Sequence, residues 1–324
     1  MSLDTPLIWG GIVGFVVINA FMAIAAWSIW FERKFAAAMQ NRPGPTEVGP
    51  RGLLQPIADL LKLLQKEDII PRNADRALFN LAPPLGLILV LAGLAIVPFG
   101  PGLIASDMEV GLLFALSISS LMVLPVWMAG WASNNKYALL GGMRAAAQAI
   151  SFEVPLLLSA LVPIILAGSL RLSDIVAAQE GYRWFALWPP GPGLVAFVLF
   201  FLCSLAEANR IPFDIPEAES ELVSGITTEY TGMKFGLFYL AEYMHTLVSS
   251  VMAAILFLGG WEGPGPDGPH WLMAKALLLF GGIFWIRWTL LRYRADQFMA
   301  LCWKVLVPLS LGLVAVSALW VNLT

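Results

Sequence analysis

Between residues 207 and 243 the chain gathers seven carboxylates, Glu207, Asp214, Glu217, Glu219, Glu221, Glu229 and Glu242, against two cations, Arg210 and Lys234. Carboxyl groups crowded beside a low-dielectric slab resist full ionisation, because each added charge raises the cost of the next. Groups that interact strongly titrate as one set, and such a set can hold protons near neutral pH. The chemistry on offer is the carriage of protons.

Three glutamates fall where apolar spans belong. Only the uncharged stretch 194–206 precedes Glu207, only 243–258 follows Glu242, and only 154–170 follows Glu153. A helix needs about 20 residues to cross a hydrocarbon core, so each run takes its glutamate into or against the membrane edge. An intramembrane carboxylate is costly and points to function. Structural pairing with Arg144 or Arg287 is the competing reading for any one of them. Three at one predicted depth, beside an acidic loop, weigh against it.

The elements that must position these acids follow from composition. Hydrophobic residues make up 59% of 324 and charged residues 13%, about half the charged share of a typical soluble domain. Eight apolar runs, near 7–30, 81–99, 110–132, 146–168, 193–209, 236–258, 271–291 and 303–322, predict an all-α polytopic membrane protein with about eight transmembrane helices. The whole chain, 1–324, reads as a single transmembrane domain with two large loops, 31–80 and the acidic 207–235. Arg33, Lys34, Arg42, Arg51, Lys62, Lys66, Arg72 and Arg76 crowd the first loop, and Lys136, Arg144, Arg210, Lys234, Arg292 and Arg294 the third, fifth and seventh. Such asymmetry places these loops in the cytoplasm or a mitochondrial matrix and both termini opposite. With no positive n-region before it, the first run reads as a retained span and not a signal peptide.

Within the first loop, Leu53, Leu54, Ile57, Leu60, Leu61 and Leu64 recur at helical spacing between Gln55, Asp59, Lys62 and Lys66. This predicts an amphipathic helix, with Pro56 in its first turn. It suits the headgroup zone, or alternatively the wall of a lipid-accessible cavity or a partner's docking face. Cys203 and Cys302 sit in apolar runs without metal-ligand spacing and read as inert core thiols. No metal, nucleotide or flavin motif is found. His245, one turn from Glu242, is either its hydrogen-bond partner or a polar core histidine. The glycine pairs Gly10/Gly14 and Gly232/Gly236 have the spacing of close helix contacts.

Longer motifs carry a resemblance. Glu32-Arg33-Lys34, Arg42-Pro43-Gly44-Pro45, Gly52-Leu53-Leu54-Gln55-Pro56-Ile57-Ala58-Asp59, Gly130-Trp131-Ala132-Ser133-Asn134, Ser151-Phe152-Glu153, Ala206-Glu207-Ala208-Asn209-Arg210, Pro212-Phe213-Asp214, Glu219-Ser220-Glu221-Leu222-Val223-Ser224-Gly225, Glu229-Tyr230, Ala241-Glu242-Tyr243 and Trp285-Ile286-Arg287 run through nearly the whole chain. Together they resemble the family of respiratory complex I membrane subunits that sit at the junction of the two arms, chain 1 of the mitochondrial enzyme among them. Thr46 departs from the Asn common there after Gly-Pro.

The resemblance implies eight spans and a subunit of proton-translocating NADH:quinone oxidoreductase that forms the membrane side of a quinone chamber. Quinone would be a substrate, with FMN and iron–sulfur clusters on partner subunits and no redox centre or metal on this chain. Arg33, Arg42 and Asp59 would lie near the quinone path, with Arg210, Phe213 and Arg287 as further chamber contacts. The loop 214–229 would meet the peripheral-arm subunits that carry the terminal cluster and quinone site, and small membrane subunits and lipid would flank the spans. Glu153, Glu207, Asp214, Glu217, Glu219, Glu221, Glu229 and Glu242 would carry proton coupling. A bacterial inner membrane is implied, with both termini periplasmic, and no nucleic-acid partner. An anchor in an energy-converting hydrogenase-type complex, or a free-standing proton-coupled transporter, are the alternatives. A transporter of that kind favours midplane sites between repeated halves, and no internal repeat is evident here.

Overall fold

The computed structural model describes residues 4–181, 183–188, 191–216 and 219–323. Helices are the only regular structure among them, as lipid demands of a chain with no closed sheet. In order they are α1 (Asp4–Met39), α2 (Gln55–Gln65), α3 (Arg76–Leu94), α4 (Gly111–Leu121), α5 (Val123–Ala132), α6 (Lys136–Ala167), α7 (Leu172–Ala177), α8 (Pro192–Glu207), α9 (Glu219–Leu222), α10 (Gly232–Phe257), α11 (Pro269–Thr289), α12 (Ala295–Leu301) and α13 (Val307–Leu323). A five-residue π turn, Cys302–Leu306, joins the last two.

Among the described residues seven segments are long and apolar enough to cross a membrane, with α4–α5 and α12–α13 each counted as one. The eighth expected crossing, α8, is apolar but has only 16 residues. At 1.5 Å per residue it reaches about 24 Å, short of a hydrocarbon core of about 30 Å. Its missing length lies where the chain breaks off after Glu207 into Asn209, which takes a left-handed φ of 51°. The opposite deviation occurs in α1, which continues through Glu32, Arg33 and Lys34 to Met39. Charge alone does not stop a helix; the stop comes at Asn41, also left-handed, and Pro43.

The central element is α10. Of its most apolar 18-residue window 83% is buried, against 17–44% in the other spans. Met244, Leu247, Val251 and 253–257 are fully enclosed. Around it stand α1, α3, α8 and α11, while α6 joins α5, α8 and α13 alongside. The second and fourth spans begin under side-chain caps: Asp75 accepts from the amides of Ala77 and Leu78, and Asn135 from that of Tyr137. Such caps stabilise by about 1 kcal/mol each.

Of the glycine pairs, Gly14 meets nothing and Gly10 approaches the Ala105 carbonyl, whereas Gly232 and Gly236 both lie close to the α2 segment at Leu63 and Lys66. A tighter approach is that of α5 to α6, where a Cβ on Gly130 would sit 2.7 Å from the Ala138 carbonyl and 3.1 Å from Gly142 Cα. Gly130→Ala is therefore expected to lower stability by about 1–3 kcal/mol through overpacking, read as an earlier thermal unfolding of the detergent-extracted protein.

On the outer side, opposite the Arg/Lys-rich loops, Lys275 Nζ donates to the carbonyls of Leu258 (2.5 Å), Glu262 (2.6 Å) and Gly260 (3.1 Å), closing the C-terminal end of α10. Burial pushes the carboxyl of Glu262 up to about 7; Asp267 and Glu180 add to the shift and Lys275 opposes it. The folded chain thus holds this proton more tightly than the unfolded chain does. Its contribution is fully favourable below the ordinary carboxylate range and is lost as pH rises through 7. Glu262→Gln should flatten the fall in thermal stability between about pH 5 and 8.

Candidate functional site

Glu153 of α6, Glu207 at the end of α8 and Glu242 of α10 all line one cavity of about 950 Å³, including its open mouth, together with His245 and Ser120. Each arrives by a different route. Ser120 of α4 hydrogen-bonds Glu153 at very short range. Glu207 sits at the C-terminal end of its helix, 3.9 Å from His245 Nε2. Gln148, buried on α6, donates to the carbonyls of Ala206 (2.6 Å) and Phe213 (2.8 Å). That clamp fixes α6 to the turn on both sides of Arg210 and so sets Glu153 opposite Glu207.

Behind Glu242 lies a buried ionic network. Arg210 is 2% exposed, with Nε 3.1 Å from Glu242 Oε1 and its guanidinium 4.1 Å over the Tyr243 ring. Tyr243 donates to Glu32 at 2.6 Å, and Glu32 pairs with Arg287 at 2.7 Å. Burial works against the Arg210 charge, but Glu242, Tyr243 and Glu32 outweigh it and raise its already high pKa. The guanidinium stays a fixed cation on which neighbouring carboxylates can lean. Nη2 of Arg210 is buried without a hydrogen-bond partner among the described residues. Glu32 itself, 4% exposed, escaped the sequence reading as a site. Its signal was a glutamate near the end of an apolar run, the same that marked Glu207.

The predicted acids Asp214, Glu221 and Glu229 have partners of their own. Asp214 pairs with Arg292 at 3.2 Å, and Glu229 accepts from Asn135 at 2.6 Å. Glu221 pairs with Arg144 at 2.5 Å, and that hydrogen bond and charge hold its carboxyl below the usual range. Glu217 lies outside the described residues; Glu219 opens α9, its side chain outside them too. Asp214, Glu221 and Glu229 do not line the cavity with the three span glutamates. Among the described residues neither Arg144 nor Arg287 forms an ion pair with one of those three; Arg210 pairs with Glu242.

The cationic residues of the first loop form a separate place. Arg33 pairs with Asp59 at 2.7 Å, Gln55 donates to the same carboxylate at 2.9 Å, and α2 is thereby tied to α1. Arg42 bonds Gln40 at 2.6 Å instead. The leucine stripe of α2, with Ile57, Leu60, Leu61 and Leu64, is exposed. Phe213 is buried in an aromatic cluster with Phe152, Tyr293 and Phe298. Arg287 is held by Glu32, as described. Cys203 and Cys302 are both buried and free, Cys302 donating to the Ser151 carbonyl.

A model of the NADH dehydrogenase family matches residues 12–318. The chain belongs to that family. The match takes in every acid described above. The relatives cover 94–97% of the chain. The chain is 48% identical to an NADH-quinone oxidoreductase subunit of Dehalococcoides mccartyi (strain CBDB1), over 94% of this chain and 83% of that one. It is 46% identical to the corresponding subunit of Thermomicrobium roseum, over 97% of both. A corresponding subunit of Geobacter metallireducens is 49% identical over 94% of each.

Proposed function

We propose that this chain is the membrane subunit of an NADH-quinone oxidoreductase in which quinone reduction is coupled to proton movement through the cavity shared by Glu153, Glu207 and Glu242. The observation that carries this reading is the meeting of three span carboxylates from three helices in one cavity, in a chain of the NADH dehydrogenase family. Electrons come from NADH through FMN and iron–sulfur clusters held by partner subunits, and this chain supplies the proton-carrying groups. Among the described residues no cluster of three or more His, Cys, Asp or Glu stands ready for a metal.

The geometry supports a division of labour. The exposed leucine stripe of α2, beside Arg33, Asp59 and Arg42, offers an apolar slope and a charged rim where a quinone enters from lipid. Arg210, Arg287 and Phe213 lie deeper, next to the buried network around Glu32 and Glu242. Quinone reduction draws protons and places negative charge at the chamber; the charge shifts the preference of Glu242 through Arg210, and Glu207 and Glu153 pass the change into the membrane. Asp214, Glu217, Glu219, Glu221 and Glu229 form the inner acidic rim that meets the peripheral-arm subunits. Small membrane subunits and lipid cover the apolar outer faces. The basic loops put that rim in the cytoplasm of a bacterial inner membrane and both termini in the periplasm.

The experiment is to tag the chain, extract it in mild detergent, and assay for inhibitor-sensitive NADH:quinone reduction. Activity with co-purifying flavin and iron–sulfur subunits is the expected result. A chain that purifies alone, or with a hydrogenase and no quinone activity, would overturn the reading.

A further inference from the structure

We propose that His245 is the proton relay between Glu242 and Glu207, an inference that rests on the proton-coupling reading of the same cavity. The cavity carboxylates divide into two groups with separate neighbours. Glu242 belongs with Arg210, Tyr243, Glu32 and Arg287. Glu207 and Glu153 belong with Ser119 and Ser120. Among the described residues no hydrogen bond or ion pair joins the groups directly.

His245 stands between them. It is one helical turn from Glu242 on α10, on the same face, and lines the cavity with it. Its Nε2 is 3.9 Å from Glu207 Oε1, and the ring is buried. A rotation of either side chain that closes about 1 Å turns that approach into a hydrogen bond.

A second cavity, about 560 Å³ including its open mouth, continues outward between α3, α4, α8 and the outer half of α10. It shares Ser119, Met122, Glu207 and His245 with the first. The two spaces therefore meet at the pair His245–Glu207. Besides His245, the titratable groups lining the two cavities are Glu153 from α6, Glu207 from α8, and Tyr239 and Glu242 from the histidine's own helix; α3 and α4 contribute none.

A neutral imidazole suits this position because it takes a proton on one nitrogen while releasing one from the other. With Nε2 protonated, the O–H bond of protonated Glu242 breaks as an N–H bond forms at Nδ1. The Nε2–H bond then breaks as an O–H bond forms on Glu207. One proton has moved from one carboxyl to the other, no electrons have moved, and the ring is left in its other tautomer, to be reset by a flip or by the reverse transfer.

The test uses the assembled complex in proteoliposomes, comparing wild type, His245→Asn and Glu207→Gln. NADH oxidation by ferricyanide, which bypasses quinone, confirms equal loading of complex. For His245→Asn the expected result is a coupled rate about 100-fold lower, the lower end of what a positioned proton-transfer group supplies. Free imidazole is expected to restore part of it, a response that a purely packing role would not give. His245→Gln serves as the same test if the Asn variant fails to assemble. Full coupled rate in the histidine variant, or a loss that imidazole leaves untouched, overturns the relay. If Glu207→Gln alone loses coupling in that experiment, the relay fails while the wider reading stands; if both variants keep it, the wider reading fails.

Discussion

Replacing Arg210 with methionine is expected to cost about 3–5 kcal/mol of stability, the range for removing one partner of a buried ion pair. The guanidinium is enclosed to 2% exposure, sits 3.1 Å from Glu242 and stacks over Tyr243. Without it, Glu242 is left in the interior without its cation, beside Glu32, which is matched by Arg287 alone. Methionine fills much of the volume, so the loss reads out charge and not a cavity. Thermal unfolding and yield of the detergent-extracted complex measure it. The double variant Arg210→Met/Glu242→Gln should recover at least half of the loss, because the carboxyl left without its partner goes with it. A single variant as stable as wild type would show that Arg210 does not hold the network.

Glu207→Gln is expected to lower quinone-linked turnover by about 100-fold, again the lower end of what a positioned acid or base contributes. The amide matches the carboxylate in size and keeps its contact with His245, so assembly should survive. Glu221→Gln is the contrast. Its pair with Arg144 is solvent-exposed at 53% and 36%, and an exposed pair is worth under about 1 kcal/mol. Steady-state NADH:quinone assays of the two variants should therefore separate cavity acids from rim acids. Equal effects would erase that distinction.

The spans and the three cavity glutamates were legible in the sequence because both follow from one-dimensional patterns. An apolar run must cross, and a carboxylate close to its end must lie near the membrane edge. Depth is what such patterns encode, and depth brought Glu153, Glu207 and Glu242 to one level. Lateral partners are not encoded in that way. Arg210 and Glu242 are 32 positions apart, and Glu32 reaches Tyr243 across 211, distances at which periodicity carries no information. The same limit hid Gln148, whose clamp on Ala206 and Phe213 depends on where α6 passes α8. It also left the partner of His245 open between Glu242 and a core role; the nearest acid turned out to be Glu207. Glycine spacing was a partial guide: Gly232 and Gly236 do pack closely on the α2 segment, Gly14 faces open space, and the tight crossing of Gly130 and Gly142 joins different helices, which spacing does not encode.

The most direct test of the central claim is a simultaneous record of quinone reduction and lumen acidification in proteoliposomes carrying the complex with Glu207→Gln or Glu242→Gln. The account predicts that proton transport falls in step with quinone reduction in both, while ferricyanide reduction stays at the wild-type level. Full and tightly coupled transport in both variants would contradict it, and would remove these carboxylates from the path.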